Sequence, residues 1–488
     1  MSQPDLSTQR ARNFALALLA MTQFVVVIDA SIVNVALPSI GDALDISQAN
    51  LSWVVNSYTL TFGGFLLLGG RLADFFGRRR IFMLGMALFA IASLVGGFAQ
   101  NETWLNAARA VQGLGAAIAS PAALSIVTTT FPEGQERNKA LGIWGAVAGA
   151  GGAAGVLLGG VLTQWAGWEW VLFVNVPIGA FIVWQAPKRL TESTADEETD
   201  RTLDLPGAIT VSAGLALGVF AMVQATKVGW SSGETIWSLA GAVALLALFV
   251  IIELRTRKPL VPFSIFRKRT LRGANIVGVL IGMSLFSMFF LITLYLQQVL
   301  GNDALEAGLS YLPLAISIIL SAGISSALVT RVGFKNVLVV GLLFVAAGLI
   351  WFAQIQPDGT YVGSVLGPSI LAGVGLGASF VPVTIAAMTG TEAHEAGLAS
   401  GLINTSQQVG GALGLAILAS IATATTNDAF KTGADPATAL TEGFADAFTI
   451  GAGFAVVGAI LAAILISSRD SQEHSEAARS GEAAPVAV

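Results

Sequence analysis

"GGRLADFFGRRRIFMLG", residues 69–85, sets four arginines and an aspartate between two long runs that carry almost no charge. So basic a patch, bounded by sequence so apolar, belongs at a membrane surface. The whole chain supports that reading. Of its 488 residues 54% are hydrophobic and only 11% charged, with mean hydropathy +0.75. That is too little polar surface to cover a soluble globule. The chain is therefore read as an all-α polytopic membrane protein. Its 55 glycines fit this class, because lipid offers no hydrophobic drive between helices and close backbone approach has to hold them together. No cysteine is present, which excludes disulfides and thiolate metal sites. The two histidines, His394 and His474, fall in an expected loop and tail, so no metal site or acid–base cluster is expected inside the membrane.

A spanning helix needs about 20 apolar residues. Fourteen runs qualify: 14–37, 51–70, 81–99, 104–130, 140–163, 170–187, 207–226, 235–254, 273–299, 307–330, 336–355, 362–388, 396–422 and 445–467. The first follows Arg10 and Arg12 but is too long for a signal-peptide core, contains Asp29 and lacks a small-residue cleavage pattern, so it is read as a retained helix. With the N-terminus inside, every Lys and Arg between runs falls on the inner side except Lys227 and Lys431, and Arg109 alone lies within a run. This asymmetry predicts fourteen crossings in the cell membrane with both termini cytoplasmic. "GRRR" is then a cytoplasmic anchor between spans 2 and 3.

Two inner segments exceed what a connection needs. "KRLTESTADEETDRTLD" (188–204) is acidic and polar, and reads as a mobile linker. "RTRKPLVPFSIFRKRTLR" (255–272) mixes seven basic residues with Leu260, Val261, Phe263, Ile265 and Phe266, the pattern of a segment lying on anionic headgroups. They divide the chain into an N-terminal six-helix half (1–187), a linker with an inserted helix pair and the basic interfacial segment (188–272), a C-terminal six-helix half (273–467) and a polar, disordered tail (468–488). A weak internal repeat supports the division: "LVTRVGFKNVLVVG" (328–341) is a worn copy of "LADFFGRRRIFMLG" (72–85), with Gly333 and Lys335 opposite Gly77 and Arg79. Repeated halves about a central cavity are a transporter architecture.

"GRLADFFGRRR" resembles the loop 2–3 signature of the major facilitator superfamily, Gly-x-Leu-Ala-Asp-x-x-Gly-Arg-Arg. "IDASIVNVALP" (28–38), "RAVQGLGAA" (109–117), "WEWVLFVNVPIG" (168–179), "YLQQVLGNDALEAGLSYLP" (295–313) and "GLASGLINTSQQVGGALG" (397–414) are similar to its fourteen-helix drug:proton antiporter branch. The likeness spans nearly the whole chain. It implies the major facilitator fold, two six-helix halves with two inserted central helices. Three positions depart from the pattern. Phe75 stands where the signature often has a basic residue, Glu169 replaces a frequent Arg, and Val156 replaces the helix-5 proline in "GVLLGG" (155–160). Proline removes a backbone hydrogen bond, so a kink at that point is not expected here.

Span 5 retains the glycines of that signature, Gly151, Gly155, Gly159 and Gly160, which with Gly145 and Gly149 leave one side nearly bare backbone. Another helix can approach closely, and a smooth face between halves would seal them as they rock. In the loop signature Gly70 and Gly77 permit a tight turn, and Arg78 lies one helical turn from Asp74, with Arg79 beside it. The resemblance implies a cytoplasmic gate, with Asp74 acting through Arg78 and through the positive end of helix 13 near Gly397.

Asp29 and Arg109 both fall in the outer half of the bundle, where charge is expensive and either paired or functional. Burial disfavours the carboxylate while the arginine favours it, so a moving guanidinium would change how readily Asp29 binds a proton. Related antiporters imply that this pair couples protons. Asn34, Asn56, Tyr58, Gln112, Asn275, Phe286, Phe290, Tyr311, Asn404 and Gln408 are candidates for an apolar cavity with sparse hydrogen-bonding groups. Trp53, Trp104 and Trp168 read as interfacial anchors. The expected function is proton-driven export of small apolar or cationic organic compounds by a monomer in the lipid bilayer, without cofactor, metal or nucleic acid. Export of one endogenous metabolite, amino acid or self-made antibiotic is the alternative within transport, and a nontransporting sensor the alternative outside it. An intramembrane enzyme is disfavoured because the spans hold no Cys, no His and no paired catalytic carboxylates.

Overall fold

The computed structural model describes residues 8–46, 53–132, 134–193, 204–256, 259–391 and 395–480. Every regular element among them is helical. The first half contains α1 (Gln9–Leu44), α2 (Trp53–Phe76), α3 (Arg78–Gly97), α4 (Glu102–Thr130), α5 (Gln135–Trp165) and α6 (Trp170–Phe173 continued as Asn175–Arg189). The inserted pair is α7 (Leu205–Val228) and α8 (Gly233–Arg255). Then follow α9 (Arg269–Leu294, ending in a π turn, Tyr295–Val299), α10 (Ala304–Ser310 and Leu312–Val332), α11 (Phe334–Phe352), α12 (a π turn, Tyr361–Leu366, leading into Gly367–Met388), α13 (Ala396–Lys431) and α14 (Pro436–Leu465). Each of the fourteen expected runs falls on one of these helices. Among the described residues eleven helices are long and apolar enough to cross a membrane, with shorter apolar helices at Ala154–Trp165 and Pro206–Met222, which is consistent with fourteen crossings.

Side-chain caps start several of these helices on the side away from the arginines. Asn101 accepts from the Trp104 amide (2.9 Å), Ser232 from Thr235 (3.2 Å) and Asp303 from Glu306 (2.8 Å), meeting amides that no preceding turn can satisfy. On the arginine side the turns at Gly77 (φ +103) and Gly333 (φ +81) use a backbone conformation that other residues rarely adopt. The two glycines hold matching places in the two halves.

Helix pairing repeats as well. α1 packs on α5 as α9 packs on α13, α2 and α3 on α4 as α10 and α11 on α12, and α3 on α6 as α11 on α14. The halves meet through α2 with α13 and α5 with α10. α7 lies against α2 and α13, and α8 packs on α7 with Trp237, Val243 and Leu254 exposed on its far side.

Several expectations need correction. The glycines of α5 mostly face their own half: a Cβ on Gly151 would meet Val27, on Gly155 the Ser31 hydroxyl, and on Gly159 the Ile32 carbonyl, all of α1. Gly160 is buried, and Gly142, Gly145 and Gly152 face the other half, at Ser326, at Phe380 and Val381, and at Phe289. The segment after α8 does not lie flat on headgroups, because Leu260, Val261 and Ile265 are buried among Leu67, Val211, Phe249 and Leu398, with the Leu260 and Val261 amides donating to Glu253. Residues of the expected linker from 194 to 203 lie outside the described residues. The expected disordered tail instead forms α15 (Ser468–Ser480), while 481–488 lie outside the described residues. Trp168 is buried rather than interfacial.

Gly155→Ala should lower the melting temperature measured by light scattering in detergent, since its Cβ would sit 1.9 Å from Ser31 Oγ and overpacking of this kind costs about 1–3 kcal/mol. Gly453→Ala, where nothing lies within 4 Å, should leave it unchanged.

Candidate functional site

Asp29 is fully buried on α1, and two other helices supply its partners. Arg109 Nη1 of α4 donates to Oδ2 at 2.5 Å, while Gln112 Nε2 and Asn175 Nδ2 of α6 donate to Oδ1 at 2.6 and 2.7 Å. These donors all favour the ionised carboxylate. Arg109 is itself fixed: Nη1 also donates to Gln112 Oε1 (2.6 Å), Nε donates to the Val54 carbonyl of α2 (3.1 Å), and the guanidinium lies 4.5 Å from the centre of the Tyr58 ring. Tyr58 in turn donates its hydroxyl to the Val26 carbonyl (3.2 Å), and Gln112 donates to Ser93 Oγ (2.7 Å). The result is a polar network inside an apolar bundle, in which Arg109 Nη2 is left without a hydrogen-bond partner among the described residues. Deleting one partner of such a pair typically costs about 3–5 kcal/mol, because the other charge is left buried and alone.

A second charged cluster lies at the opposite end of α2. Asp74 is buried and accepts from the Gly397 amide (3.2 Å) and the Leu398 amide (3.1 Å) of α13, as well as from Arg78 Nη2 (3.1 Å). A carboxylate of the first half thereby caps a helix of the second. The approach requires bare backbone, since a Cβ on Gly70 would lie 2.4 Å from the Gly397 carbonyl and one on Gly397 would lie 2.5 Å from the Asp74 carboxylate. The arginines divide their work. Arg78 serves Asp74, Arg79 donates to the Leu190 carbonyl (3.0 Å) and pairs with Glu192 (3.6 Å), and exposed Arg80 also pairs with Glu192 (3.6 Å). Phe75, where the signature often carries a base, instead lies under the Arg71 guanidinium at 4.6 Å. Ser400 adds a further bond between the halves, donating to the Pro121 carbonyl (2.9 Å).

The cavity candidates scatter. Tyr58 and Gln112 belong to the Asp29 network. Tyr311 is buried, stacked on Phe289 at 5.4 Å and bonded to its carbonyl, and Asn275 is buried against Ser406 (2.9 Å). These four are engaged in packing and do not present free polar groups to a ligand. Asn34 bonds its own helix at Ala30 and is exposed, Asn404 bonds Ser400, and Asn56 and Gln408 are half-buried. Phe286 and Phe290 are about two-fifths exposed on one face of α9. Two members of the Asp29 network escaped the sequence reading. Asn175 is a lone amide within the apolar run 170–187, a signal that could have found it; Ser93 is an ordinary helical serine and carries none.

A family model described as Major Facilitator Superfamily matches residues 19–415. The chain belongs to that superfamily. The cephamycin export protein CmcT of Amycolatopsis lactamdurans is 41% identical over 83% of this chain and 84% of its own length. The puromycin resistance protein pur8 of Streptomyces alboniger is 39% identical over 94% and 92%. Among solved structures, the human organic anion transporter MFSD10 matches with a TM-score of 0.67 at 14% identity, covering 92% of this chain and 99% of that one, and so shares the fold. The paired halves are this superfamily's architecture, enlarged here by the inserted helices α7 and α8.

Asp74→Ala removes the acceptor shared by two amides and Arg78. Cysteine placed at Ser400, buried beside this junction, should then react faster with a water-soluble thiol reagent than in the parent. An unchanged rate would mean that Asp74 does not hold the junction closed.

Proposed function

We propose that this superfamily member is a proton-coupled exporter of small, apolar or cationic organic compounds, set in the cell membrane with both termini cytoplasmic. The observation that carries the reading is the Asp29 network: one buried carboxylate held by donors from two further helices, with its arginine tied to a third through the Val54 carbonyl. The export and resistance named for CmcT and pur8 support the direction of transport and the substrate class.

In this conformation Asp29 is surrounded by donors that favour its ionised form. A proton can take the place of Arg109 only if the guanidinium withdraws, because a neutral carboxyl no longer attracts it. Withdrawal is coupled to the fold through α2. Val54 at one end of this helix accepts from Arg109, and Asp74 near the other end caps α13; twenty residues separate them, about 30 Å of helix. When the arginine-bearing sides of the two halves part, α2 must leave α13, and the Val54 carbonyl shifts against α4. Proton binding at Asp29 and opening beyond Asp74 then belong to the same state of one two-state element, and the ion pair and the closed junction to the other. Substrate leaves on the outer side, protonation there favours the return, and release of the proton inside restores the ion pair. The exposed Phe286 and Phe290 on α9 offer aromatic surface to an apolar ligand.

Accumulation of a fluorescent cationic dye in inverted vesicles, driven by a proton gradient and abolished by an uncoupler, is the expected behaviour of the wild type. Asp29→Asn should insert normally yet accumulate no dye. Arg109→Lys keeps the charge but loses the planar fork that reaches Asp29, Gln112 and Val54 together, and should also be severely impaired. Gradient-driven accumulation by Asp29→Asn at the wild-type rate would overturn the assignment.

A further inference from the structure

The two copies of the loop signature are not equal in charge. With Gly333 set on Gly77, Thr330 stands in the place of Asp74 and Phe334 in that of Arg78. The α2–α13 junction therefore has its carboxylate and arginine, whereas the second copy, at the end of α10, has neither at the matching positions, its Arg331 standing in the place of Phe75. The α5–α10 junction is the pseudo-symmetric partner of the first, and something else must bridge its arginine-bearing end.

α15 lies across that position. It is bolted to the second copy of the loop at several points. Ser471 Oγ accepts from the Lys335 amide (3.1 Å), Ser468 Oγ accepts from Lys335 Nζ (2.8 Å), and the Arg479 guanidinium donates to the carbonyls of Thr330 and Arg331. All of these contacts lie within the second half. From this mount α15 reaches the first half: buried His474 places Nε2 3.0 Å from Asn138 Oδ1 on the first turn of α5, with its ring edge-on to Phe334. Ala478 lies beside Gly134, just ahead of the same helix. The chain segment after α6 docks on the first copy in the same manner, Glu192 accepting from the Arg79 amide (3.1 Å). The C-terminal helix thus extends a device that both halves share.

We propose that α15 is the second latch of the arginine-bearing side, closing the α5–α10 junction as Asp74 closes the α2–α13 junction, with His474 and Asn138 as its positioning residues. A helix fixed to the α10–α11 turn cannot keep a 3.0 Å bond to α5 once the two helices separate. The contact is made in the closed state and broken in the open one, so its strength sets how often that side opens. This rests on the transport reading above.

The absence of native cysteine gives a clean test. Asn138→Cys/His474→Cys protein in proteoliposomes, joined by a short, reducible bifunctional thiol reagent, should stop moving dye and recover when reduced. The same protein before crosslinking is its own control. Transport that continues unchanged in the crosslinked protein would show α15 to be a passive tail and overturn the proposal. A second measurement covers the case of poor folding by the double variant. Cysteine at Ser326, which packs against Gly142 across the junction, should be labelled about fivefold faster in a His474→Ala background, the effect of one lost hydrogen bond. His474→Gln, which keeps a donor for Asn138, should restore the slower rate. Equal labelling in all three backgrounds would sink the latch. Failure of the transport reading itself would look different, as an absence of gradient-driven dye movement in the unmodified protein.

Discussion

A carboxylate buried among helices must be met by donors or neutralised, and the rest of this molecule is organised around the one at Asp29. Its three donors come from α4 and α6, so the first half cannot rearrange internally without exposing or protonating it. Tying Arg109 to the Val54 carbonyl makes the position of α2 a condition of the ion pair. The network is therefore both a clasp within the first half and a sensor of its neighbour.

The same helix carries a charged contact between the halves. Asp74 satisfies two amides that α13 cannot satisfy itself, and the bare backbones of Gly70 and Gly397 let the two helices come within reach. Packing in the rest of the first half is rigid by the same means: α1 rests on the glycine face of α5 so closely that a single methyl would collide. Rigid halves joined by a few polar contacts at one side can move as bodies, which small-residue packing in lipid favours. The inserted helices leave this plan intact, with α7 against α2 and α13 and α8 beyond it.

Much of this was legible in the sequence because it is written in composition and spacing. Fourteen apolar runs, an asymmetric distribution of arginine and two isolated charges at similar depth identify the helices and bring Asp29 to Arg109. The spacing of Asp74 and Arg78 gives their contact directly. Partners drawn from distant helices were not legible. Nothing local to Asn175 or Ser93 says that a carboxylate lies opposite, and the glycines of α5 reveal a bare face without saying which helix covers it. Tyr58, Gln112 and Tyr311 have the composition of pocket residues, yet their polar atoms are consumed by packing partners that only the folded arrangement supplies. The segment after α8 and the helix α15 misled for a related reason. Their charged residues suggest water or headgroups, whereas Leu260, Val261, Ile265 and His474 are the residues that dock.

The central claim is that the Asp29 carboxylate changes its proton occupancy as the halves move. Protein purified in detergent and held in weak, unbuffered solution at a pH where the wild type binds a transported dye provides the direct measurement, with a pH indicator recording protons released as dye is added. The account predicts release by the wild type and none by Asp29→Asn, although the variant still quenches the dye's fluorescence on binding. Equal release by both proteins would contradict it and place the carrier on another acidic group.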